Sequence, residues 1–290
     1  MQRNIRRFEI SALIPVMLLF CTFFYYPFLK NIYYMFTDYN YLNTPTFVGW
    51  ENFKRFFGDS QALLALKNTF KITIFSVPIV ICLSLVLAVL VDKLVIGKVF
   101  VRNAIFMTYL TPSIVAAIVF KVWFGTDSGV INSTLYKLGM QAVPWLTETK
   151  YAMVAVIVLA IWLKVGYYFV IFLAGVSNID RNLHEAAKID GANELQIFFK
   201  VTLPQLKPVT VFTTIMATIS GLKAYAEVVV LTNGAPYDST QTILMYMFQR
   251  GFRSRDVGYG TTIAFVLFLI IFAVTLVQMR ANKVLSSDAE

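Results

Sequence analysis

An all-α membrane protein with six transmembrane helices and both termini in the cytoplasm is the architecture this sequence predicts. Three observations predict it. Apolar blocks of span length recur along the 290 residues, of which 58% are hydrophobic and only 14% charged. A bilayer core takes about 20 such residues per helix. The cations, which give a net charge of +9, sit at the ends of those blocks rather than in one long basic run. Membrane chains spend their lysines and arginines in that way, and nucleic-acid binders do not. Finally, a long polar and charged stretch at 177–208 falls between two very apolar blocks and so should lie outside the bilayer.

The first span is read from Ile10 to about Phe28, after a cytoplasmic tail at 1–9 that carries Arg3, Arg6 and Arg7. The basic flank is also a signal-peptide feature. The block is too long for that and continues through Tyr25, Tyr26 and Phe28 without a small-residue cleavage site, so it reads as a retained anchor. Asp38 to about Leu64 reads as a folded outer segment, with Phe47, Trp50, Phe53, Phe56 and Phe57 suited to the membrane surface. The second span, about 72–91, carries Pro78 as an expected kink. The third, about 104–124, carries Pro112. The fourth runs from Tyr151 to about Val176, the fifth from Val209 to Leu231 and the last from Thr261 to Val277. A tail at 281–290 follows, so the transmembrane part of the chain is read as 10–280.

Orientation follows from the cations. With the N-terminus inside, the inner segments carry Arg3, Arg6, Arg7, Lys93, Lys98, Arg102, Arg181, Lys188, Lys200, Lys207, Arg280 and Lys283. The outer ones carry Lys54, Arg55, Lys137, Lys150, Arg250, Arg253 and Arg255. Twelve against seven puts both termini and the 177–208 loop in the cytoplasm.

That loop is the most polar long stretch between two apolar blocks. Its residues predict two short helices: Asp180 N-caps the first, Gly191 ends it in the left-handed conformation, and Asn193 with Gln196 forms a capping box for the second. Pro204 and Pro208 are expected to stop the second helix and open the next. The result is a helical elbow on the aqueous side of a membrane.

Cys21 and Cys82 both fall in apolar blocks, which supports neither a disulfide framework nor a zinc site. No phosphate-binding loop, dinucleotide fingerprint, zinc-protease helix or nucleophile elbow occurs, so an enzyme has no support. His184, the single histidine, reads as a helix-surface residue, and the Asn132-Ser133-Thr134 sequon carries little weight. Lys164 in the fourth span, and Lys223 and Glu227 in the fifth, are charges at membrane depth and therefore functional candidates. Lys223 and Glu227 are four apart, so mutual neutralisation on one helix face is the structural alternative. Lys30, Lys71 and Lys121 lie nearer span ends and snorkel.

The elbow also resembles a known signature. Glu185-Ala186-Ala187, Asp190-Gly191-Ala192, Phe198, Val201, Leu203-Pro204 and Pro208 are similar to the EAA motif of binding-protein-dependent ABC importer permeases. Phe47-Val48-Gly49-Trp50-Glu51-Asn52-Phe53, Ala65-Leu66-Lys67-Asn68-Thr69 and Leu231-Thr232-Asn233-Gly234-Ala235-Pro236 resemble the maltose-type carbohydrate branch, where a glycine is commoner at the place of Ala235. This resemblance implies a type I importer permease fold in a bacterial cytoplasmic membrane. It implies partners: a second homologous permease, a dimeric ATPase, an extracytoplasmic solute-binding protein and a carbohydrate substrate. The chain itself needs no cofactor, since ATP and magnesium belong to the ATPase. Glu185, Ala186, Ala187, Asp190, Gly191, Ala192, Leu203 and Pro204 would then couple to the ATPase. Lys164, Tyr167, Ser220, Gly221, Lys223, Tyr225 and Glu227 would lie near the path. Tyrosine faces and hydrogen-bonding tips suit a sugar, whereas two lysines would suit a sugar acid or glycerol phosphate. An ion-coupled secondary transporter is the reading from another class, and it predicts an inverted repeat that the sequence does not display.

Overall fold

The computed structural model describes residues 13–282, and within them the chain is almost wholly helical; the only strand-like pairing is an isolated bridge between Thr37 and Phe47. The expectations resting on Arg3, Arg6, Arg7, Ile10, Lys283 and the terminal tails lie outside the described residues.

Helix α1 runs from Leu13 to Tyr34, with a π-helical turn at Cys21–Tyr25. It therefore continues six residues past the expected end. A short α2 (Glu51–Gly58) precedes α3 (Ser60–Asp92), a 33-residue helix that passes through Pro78 without interruption. Helices α4 (Lys98–Leu110) and α5 (Ser113–Trp123) occupy the expected third span, but they meet at a 95° bend. The cause is local. Pro112 has no N–H to donate, and its ring pushes Thr111 out of the helical region to φ −71°, ψ 126°.

Next come α6 (Val130–Lys137), α7 (Thr149–Ser177), α8 (Arg181–Ile189) and α9, which spans 194–205 as an α-helical turn, a π-helical stretch at Phe198–Thr202 and a final turn at Leu203–Gln205. Pro204 thus does not stop this helix. The wider π turn before it accommodates the missing donor and the ring. Pro208 sits in the first turn of α10 (Lys207–Leu222), as its sequence predicts. The expected fifth span is also interrupted: α10 ends at Leu222, and α11 (Ala226–Leu231) starts after a break in which Tyr225 adopts φ −148°, ψ −72°. The carbonyl of Ala224, released by the break, accepts from Thr242 Oγ1 at 2.8 Å. Helix α12 (Ile243–Phe248) runs into a π turn at Gln249–Arg253, and α13 (Val257–Ala281) closes the described chain.

Among the described residues four single helices, α1, α3, α7 and α13, are long and apolar enough to cross a membrane, and the bent pair α4–α5 makes a fifth candidate. The stretch read as the fifth span, 209–231, is split between α10 and α11.

The residues group into two compact units. One holds the described part of Met1–Leu63 together with Tyr246–Leu269. Here Asn52 Nδ2 donates to the carbonyls of Met35 and Thr37 at 3.1 and 2.8 Å, and Phe56 is buried rather than surface-lying. Asp59 caps α3, accepting from the backbone N–H groups of Gln61 and Ala62 and from the hydroxyls of Tyr246 and Tyr259 at 2.5 and 2.7 Å. Burial opposes its charge, but those donors outweigh burial and hold the carboxyl below its ordinary value. Burial, with the bond to Asp59, pushes Tyr246 up to about 12.

The other unit is Leu64–Met245 with the residues from Ile270 onward. Its core lies between α3 and α7, around Val80, Ala88, Phe169 and Phe172, with a second cluster around Ile72, Ala117, Leu159 and Val228. Gly166 lets α7 approach α4 closely: a Cβ there would lie 2.6 Å from the Ile105 carbonyl. Buried Asn132 organises the segment after α5, donating to the carbonyls of Thr126 and Val143 and accepting from Val143 N and Trp145 Nε1. The sequon residue is thus a structural hub.

Candidate functional site

The elbow forms as its caps dictate. The Asp180 side chain accepts from Asn182 N at 2.9 Å and starts α8. At the other end Gly191 adopts φ +79°. Its N–H bonds the Lys188 carbonyl at 3.0 Å and Ala192 N–H bonds the Ala187 carbonyl at 2.9 Å, the paired pattern of a Schellman ending. Asn193 and Gln196 complete the capping box of α9, each side chain accepting from the other's backbone N–H at 2.9 Å. The turn between the two helices is therefore set by short-range hydrogen bonds of backbone and capping side chains.

Of the elbow residues singled out from sequence, Glu185, Ala186, Asp190 and Gly191 are exposed, Ala187 and Ala192 half-buried. Leu203 packs on the α3–α7 core, and Pro204 is exposed. Leu206 is buried beside it, and a Cβ at Gly175 would lie 3.0 Å from its Cδ2, so the end of α7 and the exit of the elbow touch directly. His184 is half-buried; its Nε2 lies 3.1 Å from Thr202 Oγ1, which ties α8 to α9. Glu194 bridges Lys93 and Lys188 and is held below its ordinary pKa, chiefly by Lys93. This bridge joins the elbow to the end of α3. Neither Thr202 nor Glu194 stands out in sequence, because His184 lies 18 residues from the first and Lys93 lies 101 from the second.

At membrane depth the arrangement differs from the simplest sequence reading. The break at 223–225 removes Lys223 and Glu227 from a common helix face, so they do not neutralise one another. Lys223 caps α10 and is exposed, while Glu227 sits in the first turn of α11. Glu227 acts electrostatically on Lys164 instead. The Lys164 ammonium is buried in α7 without a hydrogen-bond partner. Tyr167 packs against Tyr109 at 4.8 Å and Tyr168 at 5.1 Å between ring centres. Ser220 and Tyr225 are half-buried, and Gly221 is buried where a Cβ would lie 3.0 Å from the Thr73 side chain.

Residues 81–288 match the model of the binding-protein-dependent transport system inner membrane component family. The chain belongs to that family. Among the permease's relatives is the arabinooligosaccharides transport system permease protein AraP of Halalkalibacterium halodurans, 38% identical over 237 residues, which span 81% of this chain and 75% of that one. The lactose transport system permease protein LacF of Rhizobium radiobacter is 34% identical over 93% of this chain and 92% of its own. The permease also shares its fold with a subunit of a bacterial ABC transporter involved in the import of the acidic polysaccharide alginate, with a TM-score of 0.87, 20% identity and 99% of each chain covered. It is thus an inner-membrane transport component of the type I importer fold, and an enzymatic role does not belong to this family.

Proposed function

We propose that the permease moves a carbohydrate, a di- or oligosaccharide, into the cytoplasm of a bacterial cell by alternating access driven by a separate ATPase. The observation that carries this reading is the capped elbow, a rigid polar lever in a chain that lacks any phosphate-binding loop. Sugar-transport names among its relatives support the substrate class. A second homologous permease pairs with this one, one subunit of an ATPase dimer docks on the elbow, and an extracytoplasmic binding protein delivers the solute.

Glu185 offers a charge to the ATPase, Ala186 and Ala187 permit close approach, and the turn at Asp190-Gly191-Ala192 hands the motion to α9. Leu203 and Pro204 pass it to the α3–α7 core and α10. ATP and magnesium act in the ATPase, whose closure rocks the membrane helices. Lys164, Tyr167, Ser220, Gly221, Lys223, Tyr225 and Glu227 lie along the solute path. Glu227 beside Lys164 favours a neutral sugar over a sugar acid or glycerol phosphate, since an added anion would meet its carboxylate. Reconstitution in proteoliposomes tests the whole reading. Uptake should require the ATPase, the other permease and the binding protein and stop with vanadate; uptake driven by an ion gradient alone would replace it with a secondary transporter.

A further inference from the structure

Behind the elbow lies a cavity of about 560 Å³, between α8 and α9 on one side and the ends of α3 and α7 on the other. That volume falls within the roughly 300–1,000 Å³ of small-molecule sites. Its polar wall is strongly biased in charge. Lys93, Lys98, Arg181 and Lys188 face it against two carboxylates, Asp92 and Glu194, so four cations and two anions leave a net charge of +2. Asp92 is engaged by Lys98 at 2.8 Å and by Ser177 at 3.1 Å, and Glu194 by Lys93 and by Lys188 at 3.7 Å. Among the described residues the Arg181 side chain makes no ion pair or hydrogen bond.

The stripe on α8 is regular. Arg181, His184 and Lys188 fall within about 60° of arc at roughly 100° per residue, while Ala186 points to the opposite side. The cavity therefore lies on the face of α8 turned away from Ala186, and a ligand there would not compete with a partner that docks on the Ala186 side.

From this we infer that the cavity is a binding site for a phosphate-bearing anion on the cytoplasmic side, a regulatory site separate from the solute path. A phosphomonoester carries about −1.5 to −2 at neutral pH and three acceptor oxygens, which matches the excess charge. Arg181 supplies the planar fork that such groups accept in pairs, Lys188 a second charge, and Ser177 and Thr202 hydroxyls. Val176, Ile197 and Phe198 give an apolar floor for the body of the molecule. The phosphate could come from a soluble sugar phosphate or from an inner-leaflet phospholipid headgroup.

The test uses the full chain, purified with the subunits that accompany it, in phosphatidylcholine nanodiscs with any nucleotide sites saturated by a non-hydrolysable ATP analogue. Titration calorimetry with glucose 6-phosphate should give saturable binding and glucose none. The double variant Arg181→Gln/Lys188→Gln should weaken it at least tenfold, Arg181→Gln alone should weaken it in the same direction, and Arg102→Gln, outside the cavity, should leave it unchanged. In nanodiscs that also contain phosphatidylglycerol, retention of that lipid by the unsubstituted chain and its loss in the double variant, read by native mass spectrometry, would assign the site to the headgroup. If neither probe binds, or binding survives the double substitution, the inference is wrong.

Discussion

Gly191 is the residue on which the elbow's geometry turns. Its φ of +79° lies where an L side chain is strained, and nothing crowds the space around it, so the constraint is purely conformational. A β-branched side chain there costs upward of about 1–2 kcal/mol. Gly191→Val should abolish uptake in proteoliposomes while nucleotide binding by the ATPase persists; normal coupling in that variant would refute the lever role. Asp59 makes a different prediction. Because its carboxyl is held below its ordinary value in the folded chain, its contribution to stability is present above about pH 4 and is lost as pH falls through the lower, folded value. Thermal melting in detergent between pH 3 and 7 should show this acid loss. Asp59→Asn should melt lower at pH 7 and lose less on acidification. Asn132 adds a case that sequence hides: its four close hydrogen bonds reach across two turns, and Asn132→Ala should destabilise the chain by roughly 2–3 kcal/mol by stranding them.

Among the elements, α8 and α9 were readable in advance because their determinants are short-range: a carboxylate at Asp180, a glycine at 191, a capping box at 193 and 196. Each N-cap is worth about 1 kcal/mol. Asp180→Ala or Asn193→Ala should speed hydrogen exchange across 182–189 or 194–198 in the assembled transporter and lower uptake per ATP hydrolysed. Unchanged exchange would show that packing, not capping, holds the elbow. The broken helices were less legible. Pro112 marks its own bend, yet Pro78 sits inside an intact helix and Pro204 inside a composite one, so proline alone does not say whether a neighbouring turn will widen to receive it. The break at 223–225 has no proline at all; it is stabilised by Thr242, 18 residues on, and no local reading could find it.

For the whole molecule, apolar blocks and cation placement were enough to give the membrane class, since it depends only on composition along the chain. Which charges meet at depth was not, because that depends on where helices break. The alternative in which Lys223 and Glu227 neutralise one another thus gives way to Glu227 acting electrostatically on Lys164. A double-mutant cycle with Lys164→Met and Glu227→Gln, read as uptake of a neutral sugar, should show coupling of roughly 0.5–3 kcal/mol. Strict additivity would mean that the two charges act independently.

Lys164 also bears on how the protein is made. A lysine at the middle of a span opposes insertion by about 2.5–3.5 kcal/mol, whereas each leucine, isoleucine, phenylalanine or valine favours it by about 0.3–0.6. Glu227 emerges from the ribosome about 60 residues after Lys164, at roughly 5–20 residues per second. For those several seconds α7 must be held in the bilayer by its own apolar residues, among them Val154, Val156, Val158, Leu159, Phe169 and Phe172, before Glu227 has been synthesised. The surplus of such residues in that helix is thus a requirement of the order of translation as much as of the finished fold.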